Sequence, residues 1–435
     1  MSRRVVITGL GLISPLGNSA EKLGAALASG QSGVRPLESI SREAFPIRCG
    51  AEARDFTGAI EDFGPLEKTM ARTIKKNLKV MCREIQMGVA AAQLALTDSG
   101  IKLNETNLDR IGVVYGSDYM LTLPQEFAAG IRNCLDENGK FDFRCWAEKG
   151  LPSVEPLWLL KYLPNLPASH IGIFNDLRGP NNSLTMREAS SNLAISEAYS
   201  TIMRGHADQM IAGATGTKVH PARTIHVVTQ EEVATGDGDA TRLSRPFDRD
   251  RTGAVLGEGA AAIVLEELGT AEKRGAKIVG EVLGAASSSV TDKHGVGQPR
   301  IAIRNVLNMA MKNAGLTPDE VGHVNAHGLG SRRSDAEEAQ AIAESFSSRR
   351  SPVPVVAPKS YFGNLGAAGG MMELIGSVLA LERGPLFKTL NYETPDPDCP
   401  VNVVTNSDTP AGDCFISVNI SPQGQASAAV VRRFV

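Results

Sequence analysis

The sequence predicts an α/β protein made of two similar layered halves, and three observations carry that expectation. Short β-branched runs alternate with alanine-rich helical stretches, the alternation recurs after Arg245, and no low-complexity linker divides the two series. With 435 residues and 42% hydrophobic content, the chain is long enough to bury a large core.

Taken in order, VVITGLG from Val5 reads as a first strand and turn. The two arginines before this apolar run raise a signal peptide, but the glycines and β-branched residues favour a strand. REIQMGVAAAQLALTDSG from Arg83 is a helix closed by glycine, and IGVVYGS from Ile111 is a buried strand. The segment from Asp118 to Pro167, with Trp146, Trp158 and several prolines, has weak periodicity; this fits an irregular cap over the core better than a pocket or interface insertion. NNSLTMREASSNLAISEAYS, from Asn181 to Ser200, reads as a tight turn entering a small-residue helix with Glu188 near its start. DQMIAGATG from Asp208 is the next strand, and the polar, glycine-rich stretch from Glu231 to Gly253 reads as a solvated connection. Beyond it come AAIVLEEL, KIVGEVLG, the helix IAIRNVLNMAMKNAGL, HVNAHG, VVAPKS, the helix GGMMELIGSVLALERG, and the strands CFISVNI and AAVVRRFV. The halves are placed at 1–250 and 251–435, with an insertion at 118–167.

The net charge of −3, with acids and bases interspersed, points away from nucleic acid as the main partner. Six cysteines, Cys49, Cys82, Cys134, Cys145, Cys399 and Cys414, show no CxxC spacing, which fits unpaired thiols in a reducing compartment and indicates no metal site. No run approaches the roughly 18 apolar residues of a membrane span. A soluble cytoplasmic protein without cofactor is the expectation.

Three stretches together resemble the β-ketoacyl-acyl-carrier-protein synthases of the elongating type: RPFDRDRTGAVLGEGAAAIVLEE from Arg245, VNAHGLGSRRSDAEEAQAI from Val324, and KSYFGNLGAAGGMMELIGSVLAL from Lys359. The amino-terminal VVITGLGLISPLGNS and the helix ending ALTDSG also match, so the resemblance spans nearly the whole chain. It implies the thiolase fold, a five-layered α-β-α-β-α body of two pseudo-duplicated halves that is usually dimeric.

The resemblance also exposes departures. In the family a cysteine nucleophile sits in the turn where this chain has Glu188. Of the two family histidines that assist malonyl decarboxylation, the first is retained as His327 and the second reads as Asn364. The threonines that contact the pantetheine arm correspond to Leu329 and Ser331, and Pro422 and Gln423 stand where the acyl gate has glycine and phenylalanine. Lys359 is retained, with Glu338 matched as its acidic partner and Asp335 one turn before. Lys75, Lys76 and Lys79 fall where the family docks its acidic carrier, although a charge run of this kind is usually a solvated face.

Chain-length factors of the family also replace the cysteine, usually by glutamine, and do not condense. The resemblance therefore implies an accessory subunit of fatty-acid-like or polyketide-like biosynthesis, a homodimer or a heterodimer with an active ketosynthase, meeting acyl carrier protein or an acyl thioester. The alternative is a divergent enzyme with Glu188 as base or nucleophile and His327 and Asn364 polarising a carbonyl. In either case Glu188 is expected to pair with His327, to make that histidine easier to protonate, and to plug the pocket.

Overall fold

A computed structural model describes residues 3–41, 43–236 and 238–434. Its strands are β1 (Val5–Ile13), β2 (Arg35–Pro36), β3 (Cys49–Gly50), β4 (Ile111–Ser117), β5 (Asn181–Thr185), β6 (Gln209–Thr217) and β7 (Glu258–Glu267). They continue with β8 (Gly280–Ser289), β9 (His323–Asn325), β10 (Pro354–Val356), β11 (Asn402–Val403), β12 (Cys414–Ile420) and β13 (Gln425–Arg432). All but the β2–β3 pair join one sheet in the order β11-β10-β9-β12-β13-β8-β1-β7-β6-β4-β5.

That sheet has two wings, joined where Val5–Ile7 of β1 meet Gly280–Val282 of β8. Strand β7, from beyond residue 250, lies antiparallel between β1 and β6 in the first wing. Helices Ser190–Met203 and Gly369–Arg383 touch strands of both wings and so form the central layer. Helix Arg83–Ser99 covers the outer face of β1, β6 and β7; Pro299–Ala314, backed by Arg332–Ser345, covers β8, β12 and β13. The layers are thus α-β-α-β-α. Strands covered on both faces must be apolar throughout, which is why β1, β4, β6 and β12 are buried along their whole lengths. The three largest apolar cores lie one along the central helices and one under each outer layer. Among the described residues no helix is long and apolar enough to cross a membrane.

The stretch read as a turn entering a helix is different at its start. Asn181–Thr185 is strand β5, parallel to β4 and largely exposed at the end of the sheet. The helix proper begins at Ser190 after a single tight turn at Arg187–Ala189. NNSLT has no strong strand propensity, so pairing with β4 decides its conformation.

The solvated connection after Glu231 is also corrected, because its second half is interior. Ser244, Phe247, Asp248 and Arg251 are all buried. Asp248 accepts from the N–H groups of Glu393, Thr394 and Asp250 at 2.7–2.9 Å, and Arg251 donates to Asp396 at 2.5 Å. A polar loop can go inside when its own groups satisfy one another.

In the 118–167 segment, Phe127 meets Trp146 and Trp158 edge-on, with ring centroids 6.0 and 4.9 Å apart, and closes a small aromatic cluster. Several apolar side chains remain outside it: Phe143 is 74% and Leu157 67% exposed.

Candidate functional site

The site lies where the two central helices begin. Arg187 takes φ +52°, a left-handed conformation uncommon for a residue with a Cβ, and so turns the chain sharply between β5 and the helix at Ser190. The elbow is tied to both wings. Ser190 Oγ donates to Ser117 O at 3.1 Å and accepts from Met186 N, Ser427 Oγ donates to Ala189 O at 2.9 Å, and Ser191 Oγ donates to Ala367 O. Glu188 is thereby fixed at the junction, 2% exposed.

Its Oε1 faces Lys218 Nζ at 2.7 Å and accepts from Asn364 Nδ2 at 3.2 Å. Its Oε2 has no hydrogen-bond partner, with Arg187 Nε 3.7 Å away. Burial alone would raise the Glu188 carboxyl, but Lys218 and Arg187 outweigh it and hold the group well below the usual carboxylate range. Lys218, at the end of β6, is fully buried and also meets Glu231 at 3.1 Å. Arg187 reaches the same Glu231 at 2.5 Å, and Arg223 holds Asp118 at 2.5 Å. Three acids, Asp118, Glu188 and Glu231, therefore sit among three bases, Arg187, Lys218 and Arg223, and the cluster is neutral as a whole.

The partner of Glu188 is Lys218, not His327, and the expected easier protonation of the histidine is reversed. Burial and the neighbouring Lys359 push His327 well below its ordinary range, and the pull of Glu188 does not offset them. His327 Nδ1 meets only donors, Lys359 Nζ at 3.2 Å and Asn419 Nδ2 at 3.5 Å, so the neutral ring carries its proton on Nε2. Asn364 is engaged through both ends of its amide: its Oδ1 accepts from Gly366 N at 3.0 Å while its Nδ2 donates to Glu188.

The Lys359 partner is likewise corrected. Its Nζ ion-pairs with Glu373, which also accepts from Asn419 Nδ2 at 2.8 Å, and donates to His327 O at 2.7 Å. Glu338 instead accepts from the backbone N–H of His327 and Gly328 at 2.7 and 2.8 Å, fixing the loop that carries the histidine; burial pushes its carboxyl up to about 8. Asp335 does the same for Leu329 and Gly330, and burial pushes it up to about 6.

A cavity of about 370 Å³ opens above this floor. Glu188 and His327 line its base and Leu329 and Ile420 its walls, so Glu188 does not plug it. Ser331 lines the cavity, caps the helix that follows, and donates to Glu232 at 2.8 Å. Pro422 is at the rim; Gln423 is exposed on the outer side of the β12–β13 turn and is not a lining residue. None of the six cysteines lines the cavity. Lys75, Lys76 and Lys79 lie apart from it, exposed on the helix Lys68–Asn77 and the turn after it, and form no ion pair among the described residues.

Sequence reading missed Arg187, Lys218, Glu231, Glu373 and Asn419. One signal was present for Glu373: a lone acid in the apolar helix GGMMELIGSVLAL requires a buried cation or donors.

Two wings sharing a pair of central helices, with polar residues from both meeting where those helices start, define a thiolase-like fold of the ketosynthase kind. Residues 2–271 match the family "Beta-ketoacyl synthase, N-terminal domain" and residues 279–393 match "Beta-ketoacyl synthase, C-terminal domain". The chain belongs to the β-ketoacyl synthase family. It is 32% identical over 408 residues to 3-oxoacyl-[acyl-carrier-protein] synthase 2 of Coxiella burnetii, covering 93% of this chain and 92% of that one. It is 33% identical over 406 residues to the enzyme of the same name from Vibrio cholerae, covering 92% of each. Among solved structures it resembles the ishigamide ketosynthase/chain length factor over 100% of both chains, at 25% identity and a TM-score of 0.84.

Proposed function

We propose that this protein is a non-condensing member of its family, a chain-length-factor-like subunit that pairs with an active ketosynthase or with a second copy of itself. The observation that carries the reading is the lock on Glu188. The side chain at the nucleophile's position is a carboxylate held by Lys218 and Asn364, and the cavity above it holds no thiol. A carboxylate so stabilised is a weak nucleophile and a weak base. The similarity to a ketosynthase/chain length factor structure supports the pairing. So do the open edge at β5 and the exposed apolar side chains of residues 123–173.

The test is incubation with acyl-carrier and malonyl-carrier substrates, read by intact mass. No stable acyl adduct and no ketoester are expected; an adduct lost on removing one cysteine would overturn the reading. The unpartnered Oε2 of Glu188 beside the neutral His327 favours one alternative, a divergent thioester hydrolase, which would show itself in the same experiment as released acid.

A further inference from the structure

The 118–167 segment brings two cysteines together, away from the cavity. Cys134 closes the turn after helix Pro124–Arg132, its N–H donating to Ile131 O at 3.0 Å. The chain then doubles back: Leu135 bridges Phe141 in antiparallel register, and the carbonyl of Cys134 accepts from Asp142 N at 2.8 Å. One tight turn further on, Cys145 donates to Asp142 O from its N–H and from its thiol, the latter at 3.2 Å. This hairpin lays one sulfur against the other, and the side chains of Cys134 and Cys145 form a hydrogen-bonded pair. The two differ in access, since Cys134 is 1% exposed and Cys145 only half-buried. The remaining cysteines are placed differently. Cys82 lies 3.6 Å from Met120 Sδ, Cys414 donates to Glu320 O at 3.1 Å, and Cys49 and Cys399 are buried.

We propose that Cys134 and Cys145 are a modification site, a thiol pair that a hydroperoxide converts into an intrachain disulfide and that added thiol restores. A thiolate open to solvent and backed by a second thiol is the arrangement this chemistry needs. The Cys145 thiolate attacks a hydroperoxide oxygen, the O–O bond breaks, and the sulfur is oxidised to a sulfenic acid as water or an alcohol leaves. The Cys134 sulfur then attacks that sulfur; the S–O bond breaks and the hydroxyl departs as water with the Cys134 proton. Two thiols and one hydrogen peroxide thus give one disulfide and two waters. The new bond closes the hairpin that carries the exposed Phe141 and Phe143, beside Trp146, which follows Cys145 and packs on Phe127 and Phe141. None of these steps involves Glu188 or the cavity, so the inference is independent of whether the protein condenses.

The test treats the full chain with hydrogen peroxide and digests it with trypsin without reductant. Cleavage after Lys140 and Arg144 separates the two cysteines, so their disulfide joins peptide 133–140 to peptide 145–149. That linked species is expected, lighter by two hydrogens than its separate parts and lost on adding dithiothreitol. After unfolding, two fewer of the six cysteines should take up an alkylating agent. Tryptophan fluorescence should change with the bond and return on reduction, because Trp146 and Trp158 share one aromatic cluster. Cys145→Ser should abolish the link, and Cys134→Ser should leave Cys145 as a sulfenic acid that dimedone captures. If the buried Cys134→Ser variant fails to fold, the wild-type peptide map decides by itself. Six thiols surviving peroxide overturn the inference, as does a link to another cysteine or between two chains, or a dimedone adduct on Cys134 in place of Cys145.

Discussion

Glu188 and Glu338 are both fully buried carboxyls, yet they sit on opposite sides of the usual range because one faces cations and the other backbone amides. Lys218 and Arg187 hold Glu188 low, so its contribution to stability is present above the unfolded value near pH 4 and is lost as pH falls through the folded one. Glu188→Gln should therefore destabilise the protein at pH 7 by about 3 kcal/mol, less the share of Lys218 that Glu231 retains, and by less in acid. Urea denaturation at the two pH values measures this, and adding Lys218→Met should recover part of the loss. Glu338 behaves oppositely: with its folded pKa raised to about 8, its contribution is full below about pH 4 and is lost as pH rises toward 8. Its removal by Glu338→Gln should flatten the decline of stability between pH 5 and pH 8 relative to wild type; parallel curves would show that the carboxyl does not titrate there. For Glu188→Cys, ketoester formation should stay absent, because the new thiol would face Asn364 in place of a histidine and keep Leu329 at the cavity wall.

At the level of elements, the helix Lys68–Asn77 presents Lys75 and Lys76 outward over the buried Ile74, and Lys79 follows in the next turn. Three exposed ammonium groups without local acid partners suit an acidic carrier, and such attraction is screened over roughly 8–10 Å at physiological salt. Reversing all three charges should weaken carrier binding several-fold at low salt and little at high salt, as read by titration of labelled carrier. Unchanged affinity would remove this surface from consideration. The helices were legible in the sequence because each carries its own stop: Gly100 and Gly315 end two of them in the left-handed region, as their positions after alanine-rich runs suggest. Strand β5 was not legible, since Asn181–Thr185 carries no alternation and is a strand only because β4 offers it partners.

For the whole molecule, the open end of the sheet and the exposed Phe143, Leu157 and Ile173 belong to the same side of the chain's order, residues 123–185. Single exposed apolar residues are ordinary, but ten large ones between Leu123 and Ile173 are not. If pairing uses this surface, Phe143→Ser with Ile173→Asn should shift the protein toward a smaller species in sedimentation velocity without changing its circular dichroism.

The sequence alone determined the layered α/β class, nearly every buried strand and long helix, and the place of Glu188 at the start of a central helix. These depend on local periodicity, on caps and on motif order, all of which are written along the chain. Only the tertiary structure decided the partners: Lys218 rather than His327 for Glu188, and Glu373 rather than Glu338 for Lys359. A salt bridge or a shifted proton equilibrium depends on distances between side chains delivered by different elements. Glu188 and Lys218 reach each other from a helix elbow and a strand end. The interior burial of Asp248 and Arg251 in a stretch that reads as solvated has the same cause, since a polar loop is interior only where the fold supplies every donor and acceptor it needs.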